Sequence, residues 1–310
     1  MRTAQINEVI SALKGLDLSK YPIAEIERLI PFFGKVAIIE YNLHAGKTIL
    51  RARPEDDQWP YTTRSANCYK PQQFNTTYQR ASTPNQTMFY GSMIPEELEK
   101  RDLDSERLIV SREASPWLRD NNTCGVKRIT YSKWEVTSDI KLIAILQHKE
   151  FYDASSLTRK VVNDFHQFIK DHQDYEESSI LVSDYMAHEF AKEGTSEDYN
   201  YLISAVYTNY ILTKGFDGVM YPSVRVNGQG FNIAITPEAS DHKLKLIGAG
   251  ECTMYKRFKE TLIDNDTIAI IEDEHKPFHY QRIEAKYHTG ETNSLAAFGV
   301  KTREELCSKN

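Results

Sequence analysis

Apolar residues follow two different spacings along the chain, and these spacings outline its secondary structure. Apolar positions three and four residues apart indicate amphipathic helices, and short runs rich in β-branched residues indicate strands. The first spacing predicts helices over residues 5–15, 23–33, 157–172, 178–194 and 196–215. Strands are predicted over 47–53, 87–93, 127–136, 139–146, 216–223, 231–238, 244–258 and 267–273, and residues 35–43 fit either type. Because helices and strands are mixed without regular alternation, the pattern favours an α+β fold.

Two polar stretches interrupt this pattern. Residues 54–85 are rich in Pro, Asn, Thr and Gln and show no clear periodicity. We expect them to form a long, partly ordered loop, and loops of that length are often functional. Residues 273–310 are again polar and fragmentary, which predicts a C-terminal appendage or a weakly ordered tail.

The composition argues against nucleic-acid and membrane partners. Of the 310 residues, 40% are hydrophobic and 26% are charged, and the net charge is -6 at pH 7. That charge argues against non-specific binding to a nucleic-acid backbone. No stretch approaches the roughly 18 apolar residues that span a bilayer, and the N-terminus lacks the apolar block of a signal peptide. We therefore expect a cytoplasmic protein with neither a membrane nor a nucleic-acid partner.

Cysteines and histidines show no spacing that is typical of metal or disulfide sites. The cysteines are Cys68, Cys124, Cys252 and Cys307. They are scattered without CxxC spacing, so we expect reduced thiols and no structural zinc. His275 and His279 are four residues apart, but Pro277 between them prevents a shared helical face, so no metal site is expected. The chain also lacks the GxGxxG, Walker A and GxSxG motifs.

Three arginines are the first candidates for chemistry. Arg51 and Arg53 alternate with apolar residues on the predicted strand 47–53, and the strand period places both on one face. Arg80 stands in the polar loop, before the strand 87–93. The planar guanidinium makes two parallel, charge-assisted hydrogen bonds to a pyrophosphate. The plainer interpretation is an exposed sheet edge for the first pair and a loop arginine without a functional role for Arg80.

Tyr90 and Glu113 are the next candidates. Tyr90 precedes Gly91 on a predicted strand, and a glycine beside it would let a flat ring approach and stack. Glu113 lies between the apolar runs LIV and PWL, on a helix that Asp104 and Ser105 could cap. In a cleft its carboxylate would stabilise an oxocarbenium-like ribose. The alternatives are a core tyrosine and a solvated glutamate.

The segment GFDGVMYPS is the sharpest local signal. A DG turn leads into a buried strand that Pro222 ends, and Ser223 follows with a hydroxyl that we expect to be free. The turn NGQG then leads to FNIAI, which places Asn232 in an otherwise apolar strand where it needs partners. Two hairpin arms would explain the glycines, but they do not explain Ser223 and Asn232 together.

These residues, in this order, resemble the RES-domain family, which is named for the Arg, Glu and Ser of its motif. ILRARP resembles the first-arginine strand and RASTPNQTMFYGS resembles the second-arginine loop with its tyrosine. KGFDGVMYPSVRVNGQGFNIAI resembles the serine segment. The matching residues are Arg51, Arg80, Tyr90, Ser223 and Asn232. The family glutamate usually follows the tyrosine more closely, so Glu96, Glu97 and Glu99 stay open beside Glu113, whose surroundings are more apolar.

The resemblance implies an ADP-ribosyltransferase-like core with mixed strands flanked by helices. That core would span residues 45–272, with an N-terminal helical extension at 1–44 and a C-terminal polar extension at 273–310. The implied function is cleavage of the nicotinamide–ribose bond by a toxin-like enzyme, with NAD as substrate and no cofactor or metal. The ADP-ribosyl acceptor would be phosphate as co-substrate, water or a protein, and transfer to protein is the main alternative. An antitoxin protein and a second copy of the chain are candidate partners.

The resemblance also implies a role for each residue. Arg51 and Arg80 would clamp the pyrophosphate, and Tyr90 would stack on the nicotinamide side. Glu113 would stabilise the positive charge at the anomeric carbon, and Ser223 would hydrogen-bond the ribose or the acceptor. Arg53 and Asn232 would contribute to substrate binding. A nucleotide-binding module without turnover is the non-enzymatic alternative.

Overall fold

Helices and strands follow one another irregularly along the chain, which confirms the α+β prediction. The computed structural model describes residues 2–93, 103–172, 175–192 and 197–308. The α-helices are α1 (Arg2–Lys14), α2 (Ile23–Leu29), α3 (Arg64–Asn67), α4 (Leu103–Ala114), α5 (Pro116–Arg119), α6 (Ser156–Lys170), α7 (Glu176–Ala191), α8 (Leu202–Leu212), α9 (Pro237–Lys243) and α10 (Glu291–Ala297). Within the described ranges, no helix has the length and apolar character that crossing a bilayer requires.

The strands are β1 (Ile39–Leu43), β2 (Thr48–Pro54), β3 (Phe89–Met93), β4 (Cys124–Val136), β5 (Ile140–Ala144), β6 (Gly218–Pro222), β7 (Phe231–Ile235), β8 (Leu244–Arg257), β9 (Glu260–Ile270) and β10 (Gln281–Arg282). Strands β2 to β8 lie close to their predicted positions, whereas β9 begins seven residues before the predicted strand 267–273 and β10 was not predicted. The ambiguous residues 35–43 supply β1. The short helices α3, α5, α9 and α10 were not predicted. Helix α9 begins where Thr236 Oγ1 accepts a hydrogen bond from Ala239 N at 3.2 Å.

The chain divides into two compact units. Unit 1 consists of Met1–His44, Tyr69–Lys100 and Ser138–Lys243, and unit 2 of Ala45–Cys68, Arg101–Thr137 and Leu244–Asn310. In unit 1 the strands lie side by side in the order β1, β5, β6, β7, β3. Strands β5 and β6 are parallel, and the other neighbours are antiparallel.

The core of unit 1 joins the N-terminal helices to the sheet. Ile6 and Leu13 of α1 and Ile26 of α2 belong to one buried apolar cluster with Ile203 of α8 and Val219 of β6. Each such side chain stabilises the fold by roughly 1.5–3 kcal/mol relative to full exposure. This packing explains the amphipathic spacing at the N-terminus, because the apolar stripe of each helix lies in the core.

Unit 2 is built on long antiparallel strands. Its strands follow the order β2, β4, β8, β9, β10. Strands β4 and β8 pair from Cys124 opposite Arg257 to Val136 opposite Leu244, with an irregularity at Lys133. Ile129 and Tyr131 of β4 belong to one buried apolar cluster with Leu118 of α5.

The C-terminal residues pack into unit 2, which corrects the prediction of a weakly ordered tail. Leu295, Val300 and Leu306 form a buried cluster with Tyr255 of β8. The same packing brings Cys307 to the first residue of β4, and Cys124 and Cys307 form a disulfide with a Cα–Cα distance of 5.2 Å.

The prediction of four reduced thiols is therefore wrong for Cys124 and Cys307. A sequence separation of 183 residues hides the pairing from any local spacing rule. Cys68 and Cys252 are buried and take part in no disulfide, as expected.

Candidate functional site

The turn that follows β6 holds Ser223 through its backbone. Ser223 N donates a hydrogen bond to Gly230 O at 3.1 Å, and Gly228 N donates to Ser223 O at 2.8 Å. Asn227 and Gly228 have φ values of 53° and 79°, so the chain reverses through the left-handed region that glycine and asparagine tolerate. The segment between β6 and β7 is thus a closed turn with Ser223 at its base.

Burial overturns the prediction that the Ser223 hydroxyl is free. Ser223 has a relative exposure of 0%. Its neighbours in the chain explain this burial, because β6 and β7 are buried at every position on both faces. Sequence reasoning treated the strand end as an opening, whereas the closed turn makes it part of the core.

Asn232 lies in the middle of a polar row that crosses three strands. On β7 it stands opposite Tyr221 of β6 and opposite Ser92 of β3. Ser92 Oγ donates a hydrogen bond to Asn232 Oδ1 at 2.9 Å, and both side chains are buried. The prediction that a buried asparagine here needs partners is confirmed. Sequence reasoning missed Ser92, although its position two residues after Tyr90 puts both on the same face of β3.

Arg80 lies beside this row, and its charge is buried. Its relative exposure is 7%, and its Cζ lies 5.6 Å from the Tyr221 ring centroid and 5.2 Å from that of Tyr201. Its Nη1 donates to Phe190 O and, at 2.9 Å, to Lys192 O. A guanidinium at these carbonyls satisfies the C-terminal end of α7 and complements its dipole. Arg80 lies in a loop, as expected, and it is a structural anchor of α7.

Tyr90 joins the Arg80 loop to β3. Its hydroxyl accepts a hydrogen bond from Ala81 N at 3.2 Å and lies 2.7 Å from Ser82 Oγ. Burial raises the pKa of Tyr90 to about 12, against the opposing effects of these hydrogen bonds and of Arg80. The hydroxyl is neutral at physiological pH, and the half-buried ring packs against the core of unit 1.

Unit 1 thus contains four of the residues that the sequence analysis selected. Arg80, Tyr90 and Asn232 line one polar, aromatic region of its interior, and Ser223 ends the neighbouring strand. Hydroxyl and amide groups stand there beside a buried cation. Such an arrangement can bind an anionic or hydroxyl-rich ligand and can orient it without ionising.

Unit 2 contains the other selected residues. Arg51 and Arg53 lie on β2 opposite Ser132 and Thr130, in the strand that the sequence predicted. Arg53 Nη2 donates to Asp56 Oδ2 and Gln58 Oε1, both at 2.8 Å, so that side chain anchors the following loop. The exposed-edge interpretation is wrong for both arginines, which are half-buried.

Glu113 is half-buried near the end of α4. Its backbone carbonyl accepts a hydrogen bond from Arg119 Nη1 at 2.9 Å. The helix begins at Leu103, one residue before the predicted cap at Asp104. The other candidate glutamates, Glu96, Glu97 and Glu99, lie outside the described residues.

A group with metal-ligating side chains in unit 2 escaped the sequence analysis. The ligand atoms of Asp264, Asp266 and His288 lie within 4.8 Å of one another. Asp264 accepts hydrogen bonds from Thr289 N and Gly290 N, both at 2.7 Å. Two carboxylates and an imidazole would suit a divalent cation. The observed hydrogen bonds of Asp264 stabilise the turn before α10.

Comparison with known proteins places the serine turn in a recognised domain. Residues 145–252 match the family model of the RES domain, which confirms the resemblance drawn from the sequence. The matched segment contains β6, the Ser223 turn and β7. It is less than half of the chain, and Arg51, Arg80, Tyr90 and Glu113 precede it. No curated protein matches the chain. The similarity of residues 145–252 to the RES domain is consistent with an NAD-related toxin domain.

Proposed function

We propose that this protein cleaves the bond between nicotinamide and ribose in NAD. One observation carries the proposal: the RES segment contains Asn232, which lies in the buried row with Tyr221 and Ser92, next to Arg80. A cation, neutral hydroxyls and an amide are the groups that orient a pyrophosphate and a ribose.

The reaction needs little acid–base chemistry. The bond between the anomeric carbon and the nicotinamide nitrogen breaks, and its electron pair leaves with the nitrogen, so the cationic ring becomes neutral nicotinamide. Positive charge develops at the anomeric carbon, and an oxygen of phosphate or water, which gives up its proton to solvent, forms the new bond. Hydrogen bonds to the ribose and a carboxylate near the developing charge stabilise such a transition state.

We assign the unit 1 residues to binding and orientation. Asn232 and Ser92 would hydrogen-bond the nicotinamide ribose, and the Tyr90 ring would stack on the nicotinamide. The charge of Arg80 would attract the pyrophosphate, while the same side chain holds the end of α7. Because Ser223 is completely buried, we assign it a positioning role in place of direct contact: its backbone bonds fix the strand end that carries Tyr221.

Roles for the unit 2 residues are proposed separately, one by one. Arg51 would bind the pyrophosphate with Arg53 in support, and Glu113 would stabilise the oxocarbenium-like carbon. Each role rests on the family motif and on the residue type. Arg51→Lys should raise the KM for NAD, and Glu113→Gln should lower kcat by about 100-fold if its charge acts in the transition state.

The test is release of nicotinamide from NAD by the purified full chain, followed by chromatography. Asn232→Ala should lower the rate at least about tenfold, the equivalent of ~1.4 kcal/mol. Asn209→Ala is the matched control, because Asn209 Nδ2 also makes a hydrogen bond in unit 1, to Thr83 Oγ1 at 3.3 Å. Absence of release by the unchanged protein, or equal rates for the two variants, would refute the proposal.

The same reaction identifies the acceptor. With inorganic phosphate present, the 1-phosphate of ADP-ribose indicates phosphorolysis, and free ADP-ribose indicates hydrolysis. Label from NAD that stays on protein indicates the alternative, a protein ADP-ribosyltransferase. Binding of NAD without release of nicotinamide indicates a module without turnover.

A further inference from the structure

His148 leaves the sheet of unit 1 beside the strand that leads to Ser223. Strands β5 and β6 are parallel, with Ala144 opposite Met220, and Ile145 N donates to Met220 O at 2.8 Å. Parallel strands end at the same edge of a sheet. His148 follows β5, and Ser223 follows β6, so both segments leave that edge within the RES domain.

A stack of rings connects His148 to α7. The His148 ring centroid lies 4.7 Å from that of Phe151 at an interplanar angle of 33°, and 6.1 Å from that of His188 at 12°. Phe151 is almost completely buried, with a relative exposure of 7%. The His148 imidazole therefore lies between two rings. One is Phe151, at the end of the 3-10 helix Lys149–Phe151, and the other is His188, near the end of α7.

Phe151 continues the stack to the serine turn. A Cβ atom built on Gly228 would lie 2.7 Å from both Cβ and Cγ of Phe151. The ring therefore packs directly on the Gly228 backbone, at a distance that no side chain at this position would allow. Gly228 N donates a hydrogen bond to Ser223 O at 2.8 Å and so closes the turn. Phe151 therefore contacts both His148 and Gly228.

The surroundings of His148 favour its neutral form. Its Nδ1 is buried and has no hydrogen-bond partner among the residues that the structure describes. Burial lowers the pKa of His148, with His188 acting in the same direction and Glu150 opposing. On the turn beyond Phe151, the charged residue is Arg225. A proton on His148 would add charge to an aromatic contact that supplies no acceptor at Nδ1.

We propose that His148 is a positioning residue for the Ser223 turn, that it acts through Phe151 and Gly228, and that its protonation loosens this turn. The effect on catalysis rests on the proposed NAD cleavage, whereas the effect on the turn does not. Because the packed state favours neutral imidazole, its stabilisation is complete above the ordinary histidine pKa of about 6.5 and decreases as the pH falls through that value.

The first measurement is nicotinamide release from NAD between pH 5.5 and 7.5. We expect the rate to fall at acid pH, and the ratio of the rates at pH 5.5 and 7.5 to rise about threefold or more in His148→Phe, which keeps a ring but cannot be protonated. His172→Phe is the matched control, because His172 follows α6 and stacks on Phe168 at 4.3 Å. An unchanged ratio in His148→Phe, or an equal rise in His172→Phe, would overturn the proposal.

The second measurement does not depend on activity. Hydrogen exchange of the Gly228 amide, corrected for its intrinsic pH dependence, reports the bond to Ser223 O directly. Protection should fall with the titration of the His148 ring in the unchanged protein and stay constant in His148→Phe. In Phe151→Leu protection should be lower at every pH. If the unchanged protein releases no nicotinamide, the proposed function fails, and this exchange still decides the role of His148: protection that is independent of pH rejects it.

Discussion

Ser92 and Asn232 face each other across β3 and β7, and both are almost completely buried. A buried polar atom that loses a hydrogen bond retains the cost of its desolvation. The hydroxyl of Ser92 therefore matters more for stability than its small size suggests. At the residue scale, the Ser92–Asn232 hydrogen bond allows two polar side chains to be buried in unit 1 without an unsatisfied Asn232 Oδ1.

Ser92→Ala should lower the free energy of unfolding by about 1–3 kcal/mol, because the Asn232 amide oxygen loses the donor at 2.9 Å. Urea unfolding followed by fluorescence measures this change. Ser19→Ala is the control, because the Ser19 hydroxyl bonds the exposed Asp17 at 2.6 Å and its loss should change the free energy by less than about 0.5 kcal/mol. Equal effects of the two substitutions would contradict the assigned role.

Individual residues also show how far the sequence could lead. The need of Asn232 for a hydrogen-bond partner was predictable, because a side-chain amide in a buried apolar strand must be hydrogen-bonded. The partners of Arg80 were not, since they are carbonyl groups of residues 190 and 192, which are distant in the chain. The burial of Ser223 was missed for a similar reason: it depends on a turn closed by backbone bonds, not on any property of the serine.

At the element scale, the turn between β6 and β7 depends on one glycine for two separate reasons. Gly228 has a φ of +79°, and its missing Cβ makes room for Phe151. Gly215, in the same unit, has a φ of +88° with nothing within 4 Å of a built Cβ. The two glycines therefore separate the effect of backbone conformation from the effect of space.

Gly215→Ala should lower the free energy of unfolding by about 1–2 kcal/mol, the usual effect of a left-handed conformation on a residue with a Cβ. Gly228→Ala should lower it further, by about 1–3 kcal/mol more, because the new methyl group would overlap Phe151. Thermal or urea unfolding of both variants gives the comparison. Equal losses would show that Phe151 moves aside freely and does not hold the turn.

At the scale of the whole chain, periodicity predicted most helices and strands, because each buries one face in a core. It could not predict which distant segments meet. The residues after 273 are largely polar, yet Leu295, Val300 and Leu306 pack with Tyr255 in a buried cluster. Cys124 and Cys307 become partners only through that packing, so their separate positions in the sequence carried no sign of a disulfide.

This disulfide should stabilise unit 2 by restricting the unfolded chain. It joins residues separated by 183 positions, and the loop-closure entropy of so long a segment corresponds to about 2–5 kcal/mol in typical proteins. The double variant Cys124→Ser with Cys307→Ser should unfold at lower urea concentration than the oxidised protein. Its stability should be insensitive to reductant, whereas that of the unchanged protein should fall on reduction. Cys68→Ser with Cys252→Ser is the control, because those buried thiols form no bridge and that variant should keep its sensitivity to reductant. Equal unfolding midpoints for the reduced and oxidised forms of the unchanged protein would mean that apolar packing alone holds the C-terminal segment in place.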